Sequence, residues 1–189
     1  MRLTYSVIFA TLTLPLAALA DNHAHSLDAH IHGLASLNVA LEEQKLELQL
    51  ASPAMNILGF EHRPNSNSDQ QVVETAQKTL HNPALLFGLN SAAKCTLTST
   101  SVDNDLLVNR DEHDHQHEAQ PAADISEHQH SNITAHYHYH CSVPTALNSI
   151  DLSDFFTQFP HTEKIQVQLV TDEQQRGIEL SAQQSILSW

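Results

Sequence analysis

Basic residues are scarce in this chain. Its 189 residues include 8 lysines and arginines against 22 aspartates and glutamates, which gives a formal net charge of −14 at pH 7. Proteins that bind nucleic acid replace phosphate counterions with lysine and arginine, so this deficit argues against a nucleic-acid partner. An acidic surface is compatible with cation binding, although acidity alone mainly favours solubility.

Glycines and catalytic motifs are also few. Four glycines leave little room for a Gly-rich phosphate loop, and neither His-Glu-x-x-His nor Gly-x-Ser-x-Gly occurs. Paired carboxylates such as Asp111 and Glu112 lie in a segment whose composition predicts mobility, which cannot pre-organise a transition state. An open zinc position can activate water, but no residue is marked as the accompanying general base. We therefore expect a protein that is not an enzyme, with a zinc hydrolase as the least favoured alternative.

Long apolar runs are absent after the N-terminus. The first segment has Arg2, an apolar stretch over residues 5–20, and Ala18-Leu19-Ala20 before Asp21. It is too short and wrongly flanked for a membrane anchor, and it is typical of a cleaved secretory signal peptide spanning residues 1–20. We expect residues 21–189 to form a single metal-binding domain in the periplasm, without membrane insertion.

Only two cysteines occur, Cys95 and Cys141. In an oxidising compartment such a pair favours a disulfide, which would close a loop containing most of the histidine-rich segment. The alternative is that Cys141 acts as a thiolate metal ligand beside His140.

Hydrophobic periodicity predicts an α+β fold. Alternating segments indicate a hairpin over residues 35–50, strands at CTLTSTSV and TAHYHYHCSV, and a C-terminal hairpin. A capping-box pattern at Ser68 and Gln71 predicts a helix that ends before Pro83, and LSDFFTQF predicts a shorter one. We expect a mainly antiparallel sheet with about two helices and a disordered His/Asp-rich insert at about residues 103–131.

The insert interleaves histidines with carboxylates. Imidazole suits zinc, copper and nickel, and nearby carboxylates can complete a coordination sphere. No EF-hand spacing is present, so calcium fits poorly. The alternative is a polar linker, but linkers are usually built from Gly, Ser, Glu and Pro. We expect an accessory, metal-collecting loop whose ligands are His113, His115, His117, His128 and His130.

Two further groups of histidines are expected on ordered chain. His30 and His32 share one face of an extended segment, which lets both reach one ion; a flexible polar terminus is the alternative, above all for His23 and His25. On a strand, the histidines at 136, 138 and 140 share one face, and the tyrosines between them face the core with Cys141. Two of those three histidines can share an ion with a residue from elsewhere, and a solvated polar strand is the alternative. The candidate ligands on ordered chain are His30, His32, Glu61, His62, His136, His138 and His140.

The sequence also resembles a known family. HIHGLASLNVALEEQKLELQLASPAMNILGFEHRP is similar to the opening of the ZrgA-type periplasmic zinc-uptake proteins, with their His-x-His-Gly and Gly-Phe-Glu-His segments. NPALLFGLNSAAKC, the His/Asp-rich insert, the Tyr/His strand running into a cysteine and FFTQFP resemble later blocks of the family.

The resemblance implies a periplasmic protein that captures Zn(II) and supports its import with components of an inner-membrane ABC-type importer. It also implies that His30, His32, Glu61 and His62 are ligands together with the later histidines. Zinc follows from this resemblance and from the compartment, since imidazole chemistry alone equally admits copper or nickel. The alternative function is a periplasmic storage or detoxification buffer for zinc or copper.

Overall fold

The computed structural model describes residues 31–107 and 131–189, which form mostly β-sheet with three α-helices in those ranges. Six strands form the main sheet in the order β4-β5-β2-β1-β7-β8, and three form a small sheet in the order β3-β6-β9. The strands are β1 Leu34–Glu42, β2 Lys45–Pro53, β3 Gly88–Leu89, β4 Cys95–Asn104, β5 Asn132–Cys141, β6 Ser149–Asp151, β7 Lys164–Thr171, β8 Gln175–Ser181 and β9 Ile186–Ser188. The helices are α1 Ala54–Leu58, α2 Asn67–Leu80 and α3 Ser153–Gln158.

The predicted N-terminal hairpin is confirmed. Strands β1 and β2 pair antiparallel with Leu37 opposite Leu50 and Glu42 opposite Lys45, so the turn is tighter than the sequence suggested. Glu43 enters this turn with a positive φ of 51°. The prediction of a mainly antiparallel sheet missed one central pair, since β1 and β7 run parallel. Alternation identifies a strand and its buried face, but it does not indicate whether the strand runs parallel to a neighbour whose paired residues are 130 positions away, as Leu34 and Lys164 are.

One helix begins earlier than predicted and another was missed. The capping box of α2 is formed by Ser66 and Asp69 rather than Ser68 and Gln71. Asp69 accepts hydrogen bonds from the backbone N–H groups of Asn65 and Ser66, which an anionic carboxylate does better than a neutral amide. The apolar segment after Pro53 forms the five-residue helix α1, while α3 agrees with the prediction.

The main sheet has one buried and one open face. On β5 the tyrosines and Cys141 are buried, while the histidines alternate with them on the opposite side, as the sequence predicted. Tyr137 donates a 2.9 Å hydrogen bond to the carbonyl of Leu80 at the end of α2. Phe87 contacts the rings of both Tyr137 and Phe155, at centroid distances of 5.5 and 6.2 Å. The helices and the small sheet therefore cover one face and leave the histidine face open.

The predicted disulfide is confirmed, since Cys95 and Cys141 are bonded and lie opposite each other in the β4–β5 pair. The thiolate alternative for Cys141 is therefore wrong. The ordered chain also extends further into the insert than expected. Strand β4 continues to Asn104, a 3-10 turn follows to Leu107, and Asp105 accepts a hydrogen bond from the N–H of Asn132 at 3.0 Å.

Within the two described ranges, no helix has the length and apolar character needed to cross a membrane.

Candidate metal centre

A buried asparagine fixes the chain around His32, just before β1. Asn56 on α1 is fully buried. Its side-chain oxygen accepts from the N–H of Gly33 at 2.7 Å, and its amide donates to the carbonyl of Leu34 and to Ser52 Oγ at 3.1 and 3.2 Å. Gly33 has a φ of 85°, a conformation that glycine adopts without steric cost. These hydrogen bonds of the buried Asn56 thus fix the backbone next to His32.

Glu61 faces His32 from the segment after α1. The helix ends at Gly59, which has a φ of 80° and donates its N–H to the carbonyl of Met55 at 2.9 Å. This left-handed cap turns the chain, and His32 Nε2 lies 3.2 Å from Glu61 Oε1. The Glu61 side chain is only 16% exposed, against 51% for His32. A carboxylate with so little exposed surface is stabilised by a cation or by hydrogen-bond donors that offset its partly lost hydration.

His62 has a carboxylate partner of its own. Its Nε2 lies 3.5 Å from Asp69 Oδ2, and its ring contacts that of Phe60 at a centroid distance of 4.7 Å. The hydroxyl of Ser66, then the backbone N–H groups of Ser66 and Asn65, hold the pKa of Asp69 below its usual value. Asp69 therefore caps α2 as well as facing His62. We call these two pairs, His32 with Glu61 and His62 with Asp69, the sheet-end cluster, since Glu61 and His62 are adjacent in the chain.

Two residues that the sequence analysis missed border this cluster. The N–H groups of Glu163 and Lys164 both donate to the carbonyl of Gly33, at 2.8 and 2.9 Å. A β-carbon on Gly59 would lie 3.3 Å from His161 Nε2, and one on Gly33 would lie 3.1 Å from the Glu163 side chain. His161 and Glu163 thus stand beside the glycines that flank the His32–Glu61 pair. No local sequence pattern predicts that His161 and Glu163 lie beside these glycines, because their positions depend on the parallel pairing of β1 and β7.

The second group of candidate ligands lies on the open face of the sheet. His136 and His138 stand two residues apart on β5, opposite Gln49 and Glu47 of β2. His138 Nδ1 lies 3.4 Å from Glu47 Oε1. All three side chains line a shallow recess of about 200 Å³, floored partly by Val39 and Leu48. We call His136, His138 and Glu47 the open-face cluster; Glu47 was not among the candidates from sequence.

His140 continues the histidine row in a different electrostatic setting. It lies opposite Lys45 on β2 and Thr96 on β4, and it is exposed. A lysine directly across the strand disfavours a second cation there. The cross-strand neighbours therefore give His140 a different electrostatic environment from that of His136 and His138, which line the recess.

The two clusters lie at different places on the sheet. Strand β1 starts level with Pro53, which pairs with Asn132 at the beginning of β5. His138 is six residues further along β5, roughly 20 Å away at the usual strand rise. At that separation His138 and a residue at the start of β1 cannot share one ion, and the sharing of an ion between the other strand histidines and His32, Glu61 or His62 stays a prediction.

Both clusters provide pairs of candidate ligands, each with one imidazole and one carboxylate, but neither provides a complete coordination shell. In residues 31–107 and 131–189, no three His, Cys, Asp or Glu side chains are placed together so that they could hold a metal ion. Each cluster provides an imidazole nitrogen and a carboxylate oxygen 3.2–3.5 Å apart. His30, the signal peptide at residues 1–20 and the insert histidines at 113, 115, 117, 128 and 130 lie outside the described residues.

A comparison with known protein families gives a match over most of the chain. The family model described as ZrgA family zinc uptake protein matches residues 29–189, which covers both clusters and the region between them. No curated protein matches the chain.

Proposed function

The chain belongs to the ZrgA family of zinc uptake proteins, and from that premise we propose that it captures Zn(II) in the periplasm and supports its import through an inner-membrane ABC-type transporter. The folded histidines hold the ion, and the histidines of the insert collect zinc and raise its local concentration. Zinc is the cargo of this protein and does no chemistry in it.

The observation that carries the proposal is the His32–Glu61 pair. Two ligand atoms at about 2.0–2.1 Å from a tetrahedral zinc lie about 3.3 Å apart, and Nε2 and Oε1 are 3.2 Å apart. A charge-assisted hydrogen bond between the same groups is usually shorter, about 2.7–2.9 Å. The spacing fits one edge of a zinc coordination shell. His30 precedes His32 by two residues and His62 follows Glu61 directly, and we propose these two as the further ligands.

The insert suits a collecting role because it carries many ligands in a short segment. Five of its histidines lie within residues 113–130, between carboxylates. We propose that these histidines bind zinc more weakly than the folded site, because a segment of this polar, acidic composition has few apolar side chains that could hold several ligands in one fixed arrangement. A weaker, multi-ligand collector would raise the local zinc concentration and pass ions on to the tighter folded site.

Zinc uptake by cells tests this function. A strain lacking the protein should take up less radioactive zinc from chelator-treated medium than the parent strain, and the wild-type gene should restore uptake. The Glu61→Gln variant should fail to restore it, whereas Glu74→Gln, which removes an exposed helix carboxylate, should succeed. Equal uptake in the deletion and parent strains would contradict the proposal. Expression that rises in zinc or copper excess instead of under chelation would favour the storage function.

A further inference from the structure

Strand β4 forms one edge of the main sheet. Within the described residues its strand neighbour is β5, and no strand pairs with its other side. Most of its side chains are exposed, and Leu97 is one of the exposed large hydrophobic residues, at 37%. An edge that presents a row of unpaired backbone N–H and C=O groups is a template for pairing with another strand.

The opposite edge of the sheet, strand β8, carries protection that β4 lacks. β8 contains Arg176 and Glu179, and charged side chains on an edge oppose pairing with another chain. Arg176 donates to the carbonyl of Ser188, and Glu179 Oε1 lies 2.6 Å from Lys164 Nζ. In β4, residues 95–102 are uncharged, and the threonines and valine among them favour extended chain. The edge that is open to another strand is therefore β4.

A bulge makes β4 complementary to itself. Before the interruption in its pairing with β5, Leu97 lies opposite the buried Tyr139, and after it Thr100 lies opposite the buried Tyr137. The extra residue moves the buried face of β4 from odd-numbered to even-numbered positions. Two antiparallel copies of β4 can therefore meet with matching faces when the twofold axis between them passes just before Ser99.

From these observations we infer that the protein forms a weak homodimer through antiparallel pairing of β4 with β4 of a second copy. The register places Leu97 opposite Thr100 of the second copy and Thr96 opposite Ser101. The exposed Leu97 is thereby covered on the buried side of the sheet, and hydroxyl groups meet on the open side, as cross-strand pairs prefer. The contact is the same for both copies, and its area, below about 1,200 Å², is that of a transient interface.

Charge complementarity favours a second copy as the occupant of this edge. Two molecules with a formal net charge of −14 repel each other, so they can approach only where the contacting surfaces are neutral or oppositely charged. Residues 95–102 are neutral, and the same register brings Lys94 of each copy opposite Asp103 of the other. Both side chains are exposed, and in the described part of the chain neither forms an ion pair. Each end of the contact thus gains a pair of opposite charges.

The dimer joins two main sheets into one. At the junction the strand order is β5-β4-β4-β5, so the two β5 strands lie about 14 Å apart at the usual strand spacing of about 4.8 Å. The matching faces place the histidine rows of both copies on the same side of the joined sheet. The inference goes beyond the proposed function and is independent of it, because the pairing requires neither zinc nor a transporter.

Sedimentation equilibrium of the full-length protein in EDTA, from about 1 to about 500 μM, tests the dimer. The average mass should rise with concentration from that of one chain towards that of two. Lys94→Glu and Asp103→Lys each place like charges opposite each other at both ends, and each should raise the dissociation constant about fivefold or more. The variant with both changes restores opposite charges and should recover the wild-type constant. Lys78→Glu, which makes the same charge change on α2, should have no effect.

A second variant tests the pairing near the axis. Ser99→Lys places two ammonium groups side by side between the copies and should abolish the dimer, while circular dichroism checks that the fold is retained. A single-chain mass over the whole concentration range would overturn the inference. Association that survives in Ser99→Lys, or that the charge reversals leave unchanged, would overturn it as well, because the contact would then lie elsewhere on the surface.

Discussion

The sheet-end and open-face clusters combine the same ligand types in different surroundings. Glu61 is 16% exposed and lies beside chain fixed by the buried Asn56, whereas Glu47 is 56% exposed on a regular strand. Electrostatic attraction is stronger where water is excluded and weaker where it is present. The comparison shows that the two clusters pair the same residue types through different imidazole nitrogens, Nε2 of His32 and Nδ1 of His138, and differ most in the exposure of the carboxylate. We expect tight binding at the sheet end and fast exchange on the open face.

The largest expected effect comes from the disulfide next to the open-face strands. Replacing both cysteines, at 95 and 141, with serine opens a loop with a sequence separation of 46, which costs about 4 kcal/mol on the chain-entropy account. The free energy of unfolding in urea should fall by about that amount. The oxidised and reduced wild-type protein provide the control, because reduction should reproduce the loss. A change below about 1 kcal/mol would show that the residual pairing of β4 and β5 suffices without the covalent link.

Loss of the half-buried Glu61 carboxylate should distinguish the two clusters most clearly. Glu61→Gln keeps the shape of the side chain but removes its charge, so the affinity of the tight site for zinc should fall on the order of 100-fold. Calorimetric titration would measure this, with Glu74→Gln as the control for a lost exposed carboxylate. An unchanged affinity in Glu61→Gln would move the tight site away from the sheet end.

Replacing Asn56 tests whether the buried hydrogen-bond network at the sheet end causes the expected difference in zinc affinity between the two clusters. Asn56→Ala leaves the N–H of Gly33 and the carbonyl of Leu34 without this partner, which should destabilise the fold by about 1–3 kcal/mol and weaken zinc binding at the sheet end. Asn38→Ala is the matched control, since the side chain of Asn38 donates to that of Gln49, at 3.4 Å on the exposed face, and supports no backbone group in that bond. If both variants lower stability equally, the network around Asn56 has no special role.

A smaller effect on folding stability is expected at alkaline pH, from Tyr137 and Tyr139 on the buried side of β5. Burial raises the pKa of Tyr139 from 10.0 to about 12 and raises that of Tyr137 as well, through desolvation. Both groups are neutral when folded and ionise first in the unfolded chain. Their contribution is complete below pH 10 and is lost as pH rises towards 12. Unfolding measured by circular dichroism between pH 9 and 12 should show this fall, and the Tyr139→Phe variant should lose less stability over that range.

The smallest expected effect concerns the N-terminal cap of α2, which includes Asp69, the carboxylate partner of His62. Ser66→Ala removes the hydroxyl that accepts from the N–H of Asp69 at 3.1 Å, and losing such a cap costs about 1 kcal/mol. Thermal unfolding should reveal it, with Ser68→Ala as the control because Ser68 lies inside the helix. An equal loss in both variants would restore the capping position that the sequence suggested.

Much of the fold could be predicted from local patterns. Alternation identified the faces of β1, β2, β5 and β7, and the expectation of an oxidising compartment made the cysteine pair a disulfide candidate. The parallel pairing of β1 with β7 could not be predicted, because it depends on a crossover through the middle of the chain. The cap at Ser66 was missed because two overlapping patterns compete, and only the charge of Asp69 distinguishes them.

The residues of the candidate site could be predicted from the sequence, but the partner that each of them contacts could not. His32, Glu61, His62 and the strand histidines were all candidates from sequence. Their partners were not, since Glu47 faces His138 only through the β2–β5 register and His161 reaches Gly59 only through the crossover. Cross-strand partners come from tertiary pairing, which a single sequence does not specify.

Zinc titration of the full-length protein, with serine replacing the five histidines at 113, 115, 117, 128 and 130, tests the central claim most directly. The account predicts that a tight site of about one zinc per chain remains and that Glu61→Gln in the same background removes it. Disappearance of all zinc binding with the insert histidines would contradict the account. The folded histidines would then be a passive scaffold for a metal-collecting loop.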